Sequence, residues 1–391
     1  MPGRRFNSAV LAAVAFWAMT AHAAQPAALV VRSAAQLETV LSQPTPLDAL
    51  TPYGKRRFLQ SLAWGEQGIV GFSPDVLVRE LEPEQIAVVL AFLGASDYLP
   101  MLLERVSGPP LRLPAPSADG EARLNQLIRV QADKTVDAGR MARHFETLFG
   151  ERMSGTKLRT LPLGDLPLYF DAAHRAVFGR PDAAASRDFA LVYEEMRRRG
   201  IDTRRTFDKA MLGHLLEARR FDAARALVAG KPHLAGTIVP TVRDPLGPAF
   251  AGRSAYRYKA ATQTLVREAL PQAAGIELVM VVDAGCAFSA RALAALQEDA
   301  TLRVRLQKAG LILIIPPRAS IAVDFIDEWN RANPAIPMRV PYSVEEWQAV
   351  DVADVPRFFV LKEGKVVGQL SGWPEEGNKA ALIALLDRAA R

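Results

Sequence analysis

The sequence predicts an α/β C-terminal domain preceded by an all-α helical region, and three observations carry that reading. Apolar residues recur at helical spacing over the first two thirds of the chain, whereas short runs rich in branched residues alternate with helical segments in the last third. Stretches rich in proline and glycine separate these parts. The chain has 391 residues, more than one compact core usually holds, which argues for several domains.

The N-terminus reads as a secretory signal over residues 1–23. Arg4 and Arg5 form its charged head, an apolar core follows from Phe6, and Ala21-His22-Ala23 supplies a small-residue cleavage site. A periplasmic mature protein is therefore expected. Loss of the two arginines, with no acidic residue in that segment, lowers the formal charge from +6 to +4. No interior apolar run is long enough for a membrane span, so none is expected after signal cleavage. The clusters Arg197-Arg198-Arg199 and Arg204-Arg205 flank acidic residues and lack interleaved aromatics. They read as solvated helix faces, and no nucleic-acid partner is expected.

Residues 24–106 form a first helical unit. Leu37, Val40 and Leu41 recur at helix spacing, residues 85–93 carry Ile86, Val88, Val89, Leu90, Phe92 and Leu93, and Pro83 sits at a helix start between Glu82 and Glu84. Residues 107–120 carry Pro109, Pro110, Pro114, Pro116 and Gly120 and read as a linker. Residues 121–232 are again helical. Over 189–228 one helix ends at Gly200, a second runs over 207–218, and Arg219-Arg220-Phe221-Asp222 turns into a third. This single hairpin resembles a tetratricopeptide-type repeat; a plain helical bundle is the other reading. Residues 233–255, with Pro240, Pro245 and Pro248, read as a second linker.

The C-terminal domain spans 256–391. Residues 276–282 make a strand buried on both faces, ended by Asp283-Ala284-Gly285, after which Cys286 opens a helix through Leu293 and Leu296. A second buried strand covers 311–315, and Ser320 is placed to cap a helix over 321–330. Strands over 357–361 and 365–370 are joined by Glu363-Gly364, and an amphipathic helix over 378–390 closes the chain.

This order resembles the thioredoxin superfamily, and two places carry the resemblance. One is Gly285-Cys286-Ala287-Phe288-Ser289, where the family sets two cysteines three apart; here Ser289 stands at the second position, a monothiol Cys-x-x-Ser variant. The other is Val355-Pro356-Arg357-Phe358-Phe359-Val360-Leu361, which matches the family's cis-proline and following strand. The resemblance implies Cys286, Ser289 and Pro356 as catalytic positions, with Val355, Gly285 and Phe288 contacting substrate. Pro356 is expected to be cis and to face Cys286, leaving the Val355 backbone to pair with an extended peptide. There are departures. Gly285 stands where many members have tryptophan, and Met280 where thioredoxins proper bury an acid. An insertion centred on residues 321–344, with Trp329, Tyr342 and the nearby Trp347, either shapes a client surface or belongs to the core.

A helix N-terminus favours the thiolate that disulfide exchange requires, and Ser289, one turn on, is placed to donate a hydrogen bond to the sulfur. Cys286 is the only cysteine of the chain, so no internal disulfide forms. A mixed disulfide at Cys286 would then await an external thiol reductant or a second cysteine of the client. The expected function is isomerisation, reversible capture or deglutathionylation-like exchange on envelope or periplasmic proteins. The alternative is a non-enzymatic adaptor or scaffold whose thioredoxin-like domain is redox-silent. No cofactor and no metal are expected: His144, His174, His214 and His233 lack metal spacing and read as surface or satisfied core residues. Residues 150–157 resemble a phosphate loop only superficially, since the order is Gly-Thr-Lys and a helix precedes it, and no serine lies in a Gly-x-Ser-x-Gly elbow.

Overall fold

The computed structural model describes residues 29–133, 138–178, 183–270, 275–352 and 354–391. The segment read as a signal peptide lies outside the described residues.

The chain opens on helices Ala34–Val40, Pro52–Ser61, Asp75–Glu80, Pro83–Phe92 and Leu99–Leu103. Their starts follow local chemistry. The Ser33 hydroxyl accepts the Gln36 N–H, the Thr51 hydroxyl accepts the Gly54 N–H, and Pro52 and Pro83 occupy first-turn positions that need no amide donor. Leu37, Phe58, Leu77, Ile86 and Leu90 pack into one core of this unit. The sequence reading missed a short antiparallel hairpin here, β1 (Ala63–Gly65) with β2 (Gly68–Gly71).

A second helical unit contains helices Ala118–Ala132, Ala138–Phe149, Gly155–Thr160, Leu166–Val177, Ala183–Arg198, Phe207–Glu217 and Phe221–Ala229. The predicted helical hairpin is its last pair, turned at Arg219 with φ 56°. Gly164 lets the chain fold tightly: a Cβ there would stand 2.3 Å from the Pro114 carbonyl oxygen. The two units are joined by a half-buried arginine, Arg79, and a buried one, Arg205. Arg79 forks onto both oxygens of Asp171 at 2.7 and 2.8 Å while its guanidinium lies 4.3 Å from the Phe207 ring centre. Arg205 donates to the carbonyls of Val78, Leu81 and Gly108.

The last part is a mixed sheet with helices. Its strands are β3 (Thr241–Arg243), β4 (Ser254–Lys259), β5 (Thr264–Ala269), β6 (Ile276–Val281), β7 (Ile312–Ile314), β8 (Met338–Pro341), β9 (Arg357–Lys362) and β10 (Lys365–Ser371). Their order is β10-β9-β6-β7-β8-β4-β5-β3, with β6, β7 and β8 parallel to one another and β9, β10 and β4 running against their neighbours. β6 sits inside the sheet, and its apolar run, interrupted only by Glu277 paired with Arg253, is explained by burial on both faces. Leu278 and Met280 join the core formed with helices Ala287–Glu298, Ala300–Lys308, Val323–Ala332 and Lys379–Ala389. Val279 and Val281 pack on the opposite face against Trp347 and Phe359.

Several expectations need correction. The segment read as a linker over 233–255 contributes β3 and the start of β4, and β3 pairs in parallel with β5. Ser320 caps nothing: the helix begins at Val323 with Ala322 as its N-cap residue and no side-chain cap. Of the two readings of the insertion's aromatic residues, client surface or core, the core reading holds for Trp329 and Trp347, and Tyr342 is half-buried. Trp329 is buried with its indole N–H on the Ile336 carbonyl at 2.8 Å, Trp347 is buried on the Ser254 carbonyl at 2.7 Å, and Tyr342 lies under the Arg267 guanidinium at 3.3 Å. Arg267, 2% exposed, is also held by Asp244, Ser254 and Glu346.

The second helical unit and the sheet share a core. Arg219 donates to the carbonyls of Leu216 and Ala319 at 2.9 Å and of Pro317 at 3.0 Å, and Phe221 meets Tyr256 edge-on. Among the described residues no helix is long and apolar enough to cross a membrane.

Candidate functional site

The candidate site lies where β6 ends and the next helix begins. Asp283 organises the turn. Its carboxylate accepts the Gly285 N–H at 2.9 Å, and its carbonyl accepts the Cys286 N–H at 3.3 Å. Cys286 is left at the N-cap of the Ala287–Glu298 helix, half-buried, with extended backbone at φ −103°. The Cys286 side chain makes no capping hydrogen bond to the first turn of that helix.

A second loop meets it from across the sheet. The Val355–Pro356 peptide bond is cis, and the Cys286 thiol donates to the Val355 carbonyl oxygen at 3.2 Å, joining positions 69 residues apart. The loop is fixed from behind, because the Pro356 carbonyl accepts the Gly372 N–H at 2.8 Å and Asp354 pairs with Arg357. Val355 packs against the lesser core of the sheet.

Three of the residues read from the sequence thus come together: Cys286, Val355 and Pro356. Gly285 lies exposed in the turn, and Phe288 is 48% exposed on the first turn of the helix. Ser289 is different. It is fully buried, and its hydroxyl accepts the Asp283 N–H at 3.2 Å, so it fastens the turn to the helix instead of donating to the sulfur. The Val355 carbonyl, expected to be available to a peptide, is occupied by the thiol.

Sequence reasoning missed the residues that brace Phe288. The Arg291 guanidinium lies 4.6 Å from the Phe288 ring centre and its Nε donates to the Trp373 carbonyl, while the Trp373 ring packs on Phe358. The spacing of Phe288 and Arg291, three apart on a helix, was the available signal. Among the histidines, His214 is 2% exposed, and neither ring nitrogen finds a hydrogen-bond partner among the described residues, so it is a core histidine but not a satisfied one. His233 lies against the buried carboxylate of Asp208 at 2.9 Å.

No protein-family model matches the chain, and no curated protein matches it. Among solved structures, a thioredoxin-like protein from Bacteroides caccae shares 15% identity, covers 71% of this chain and 99% of its own length, and superposes with a TM-score of 0.25. The C-terminal domain of a Bacteroides fragilis protein shares 14% identity over 34% of this chain and 94% of its own, again with a TM-score of 0.25. At that level of superposition neither similarity bears on the chemistry of the site.

Proposed function

We propose that the C-terminal part of the chain is a monothiol thioredoxin-like domain of an exported protein, and that Cys286 forms reversible mixed disulfides with envelope proteins. One observation carries the reading: the only sulfhydryl of the chain stands half-buried at a helix start, 3.2 Å from the carbonyl that precedes a cis proline. A structural cysteine is ordinarily sealed among apolar side chains, whereas this one faces a loop and is flanked by the exposed Phe288.

The exchange balances without an internal partner. The Cys286 thiolate attacks one sulfur of a client disulfide, a new S–S bond forms, and the old one breaks, with the departing client sulfur taking a proton from solvent. A second client thiol, or a small external thiol, then attacks the mixed disulfide and restores Cys286. No net oxidation occurs in the isomerising direction. For this reaction the thiol must leave the Val355 carbonyl, and that carbonyl is then freed to accept an N–H from the extended client segment.

Scrambled ribonuclease A, mixed with the purified protein and a trace of reduced glutathione, should regain activity faster than with the Cys286→Ser variant. Rapid acid quenching should trap a covalent adduct whose mass maps to Cys286. Absence of the adduct and equal rates for the two proteins would leave only a docking surface. In that case partner recovery from envelope extracts would not depend on the sulfur.

A further inference from the structure

A cavity of about 860 Å³ opens between the two helical units, far in sequence from Cys286 and unused by the proposed exchange. Its size falls in the range of small-molecule sites. Its walls combine apolar surface from Tyr53, Ile128 and Leu168 with an unusual set of charges.

The carboxylates on this wall are already committed. Asp171 is held by both arms of Arg79 and Asp75 pairs with Arg105, while Glu80 is turned toward the Thr51 N–H and hydroxyl, which bind it at 2.8 and 3.1 Å without an ion pair. Arg56, at the exposed rim, is paired with Glu121. Of the other guanidiniums in the lining, Arg129 is exposed, while the half-buried Arg57 and Arg175, like it, have no carboxylate partner among the described residues. Arg57 donates to the side-chain carbonyl oxygens of Asn125 and Gln60, and Arg175 to that of Gln131. Neutral amides orient a guanidinium without cancelling its charge. Burial, and the neighbouring charges of Arg57 and Arg79, hold Arg175 below the ordinary guanidinium range against the opposing pull of Asp171. The two arginines therefore stand in a partly desolvated cavity with no carboxylate in direct contact, an arrangement that an anion would relieve.

We infer that this cavity is a binding site for an oxyanion head group, carboxylate or phosphate, carried on an apolar stem. Arg57 and Arg175 take the head group, with Asn125 and Gln131 holding the two forks in place, and the stem lies along Tyr53, Ile128 and Leu168. Arg79 stays bound to Asp171 and plays no part in recognition.

Isothermal titration of the purified protein with three probes of one stem tests this: 4-phenylbutyrate, 4-phenylbutyl phosphate and the uncharged 4-phenylbutyramide. At least one anion should bind about tenfold or more tightly than the amide, with affinity falling as salt is raised. The tighter of the two anions identifies which head group the site takes. The Arg57→Gln, Arg175→Gln double variant should bind the anions no better than the amide, while Arg56→Gln should behave as wild type. Equal affinity for anions and amide, no binding of either anion, or an unaffected double variant would overturn the proposal. Should the double variant fail to fold, the head-group comparison on the unaltered protein decides alone.

Discussion

Replacing His214 by leucine, or Glu217 by glutamine, is expected to expose opposite pH dependences that offset each other in the natural protein. Burial, followed by the charges of His174 and Arg220, lowers the His214 pKa from 6.5 to about 4. The unfolded chain therefore takes up a proton that the folded chain refuses, and stability falls as the pH drops below 6.5. With those values the loss is about 1 kcal/mol between roughly pH 7.5 and 5.5, approaching about 3 kcal/mol in stronger acid. Glu217 acts in the other direction. Burial raises its pKa from 4.5 to about 7, against the weaker pull of Arg219. Its stabilising contribution is full below 4.5 and is lost as the pH rises through about 7. Glu217 keeps partial contact with solvent, so we discount its share over the same interval to about 1 kcal/mol. Urea denaturation at the two pH values should then find a near-zero combined effect of these groups in wild type. The leucine variant should lose about 1 kcal/mol of stability, relative to wild type, on going from acid to neutral pH, and the glutamine variant should gain about as much. The remaining titrating groups are common to all three proteins and drop out of the comparison. One shared pH slope, or an NMR titration of the His214 imidazole centred near 6.5, would refute the reasoning.

Two further stability outcomes follow from burial. Arg79→Ala leaves Asp171 without its forked partner between the two helical units, and should cost about 3 kcal/mol in urea denaturation and hasten proteolysis within residues 31–102. Met280→Ala removes a fully buried side chain from β6 and should cost about 3 kcal/mol, whereas Val367→Ala, on a side chain 51% exposed, should stay within about 0.5 kcal/mol of wild type.

Much of the sheet was legible because its inner strands leave an unambiguous imprint. A strand covered on both faces favours apolar residues along most of its length, and residues 276–281 and 357–361 supply them apart from Glu277 and Arg357. The N-cap position of Cys286 followed from the strand ending at Asp283 with a helical pattern beyond it. β4 and β5 were harder to read. Tyr256, Arg257, Tyr258 and Lys259 mix charge with aromatic bulk, and Arg267 is a charged residue in the interior, where only the surrounding carboxylates and Tyr342 make its burial tolerable. The helix Ala300–Lys308 was also passed over, although Asp299 accepts the Leu302 N–H as its cap, because its exposed face carries much of its composition. Ser289 shows a further limit. Sequence spacing puts its hydroxyl one turn from the sulfur, but whether that hydroxyl turns outward or fastens the preceding loop is decided by a backbone N–H that only the folded turn supplies.

β6 and β7 run the same way, so the segments that follow them emerge along one rim of the sheet. One of those segments bears Cys286; the other gives Arg219 of the helical region its two cross-boundary acceptors, Pro317 and Ala319. The neighbouring unit is thereby moored on the same rim from which the turn bearing Cys286 emerges. A change that loosens the hold of Arg219 on Pro317 and Ala319 therefore acts on the same edge of the sheet that carries the cysteine turn.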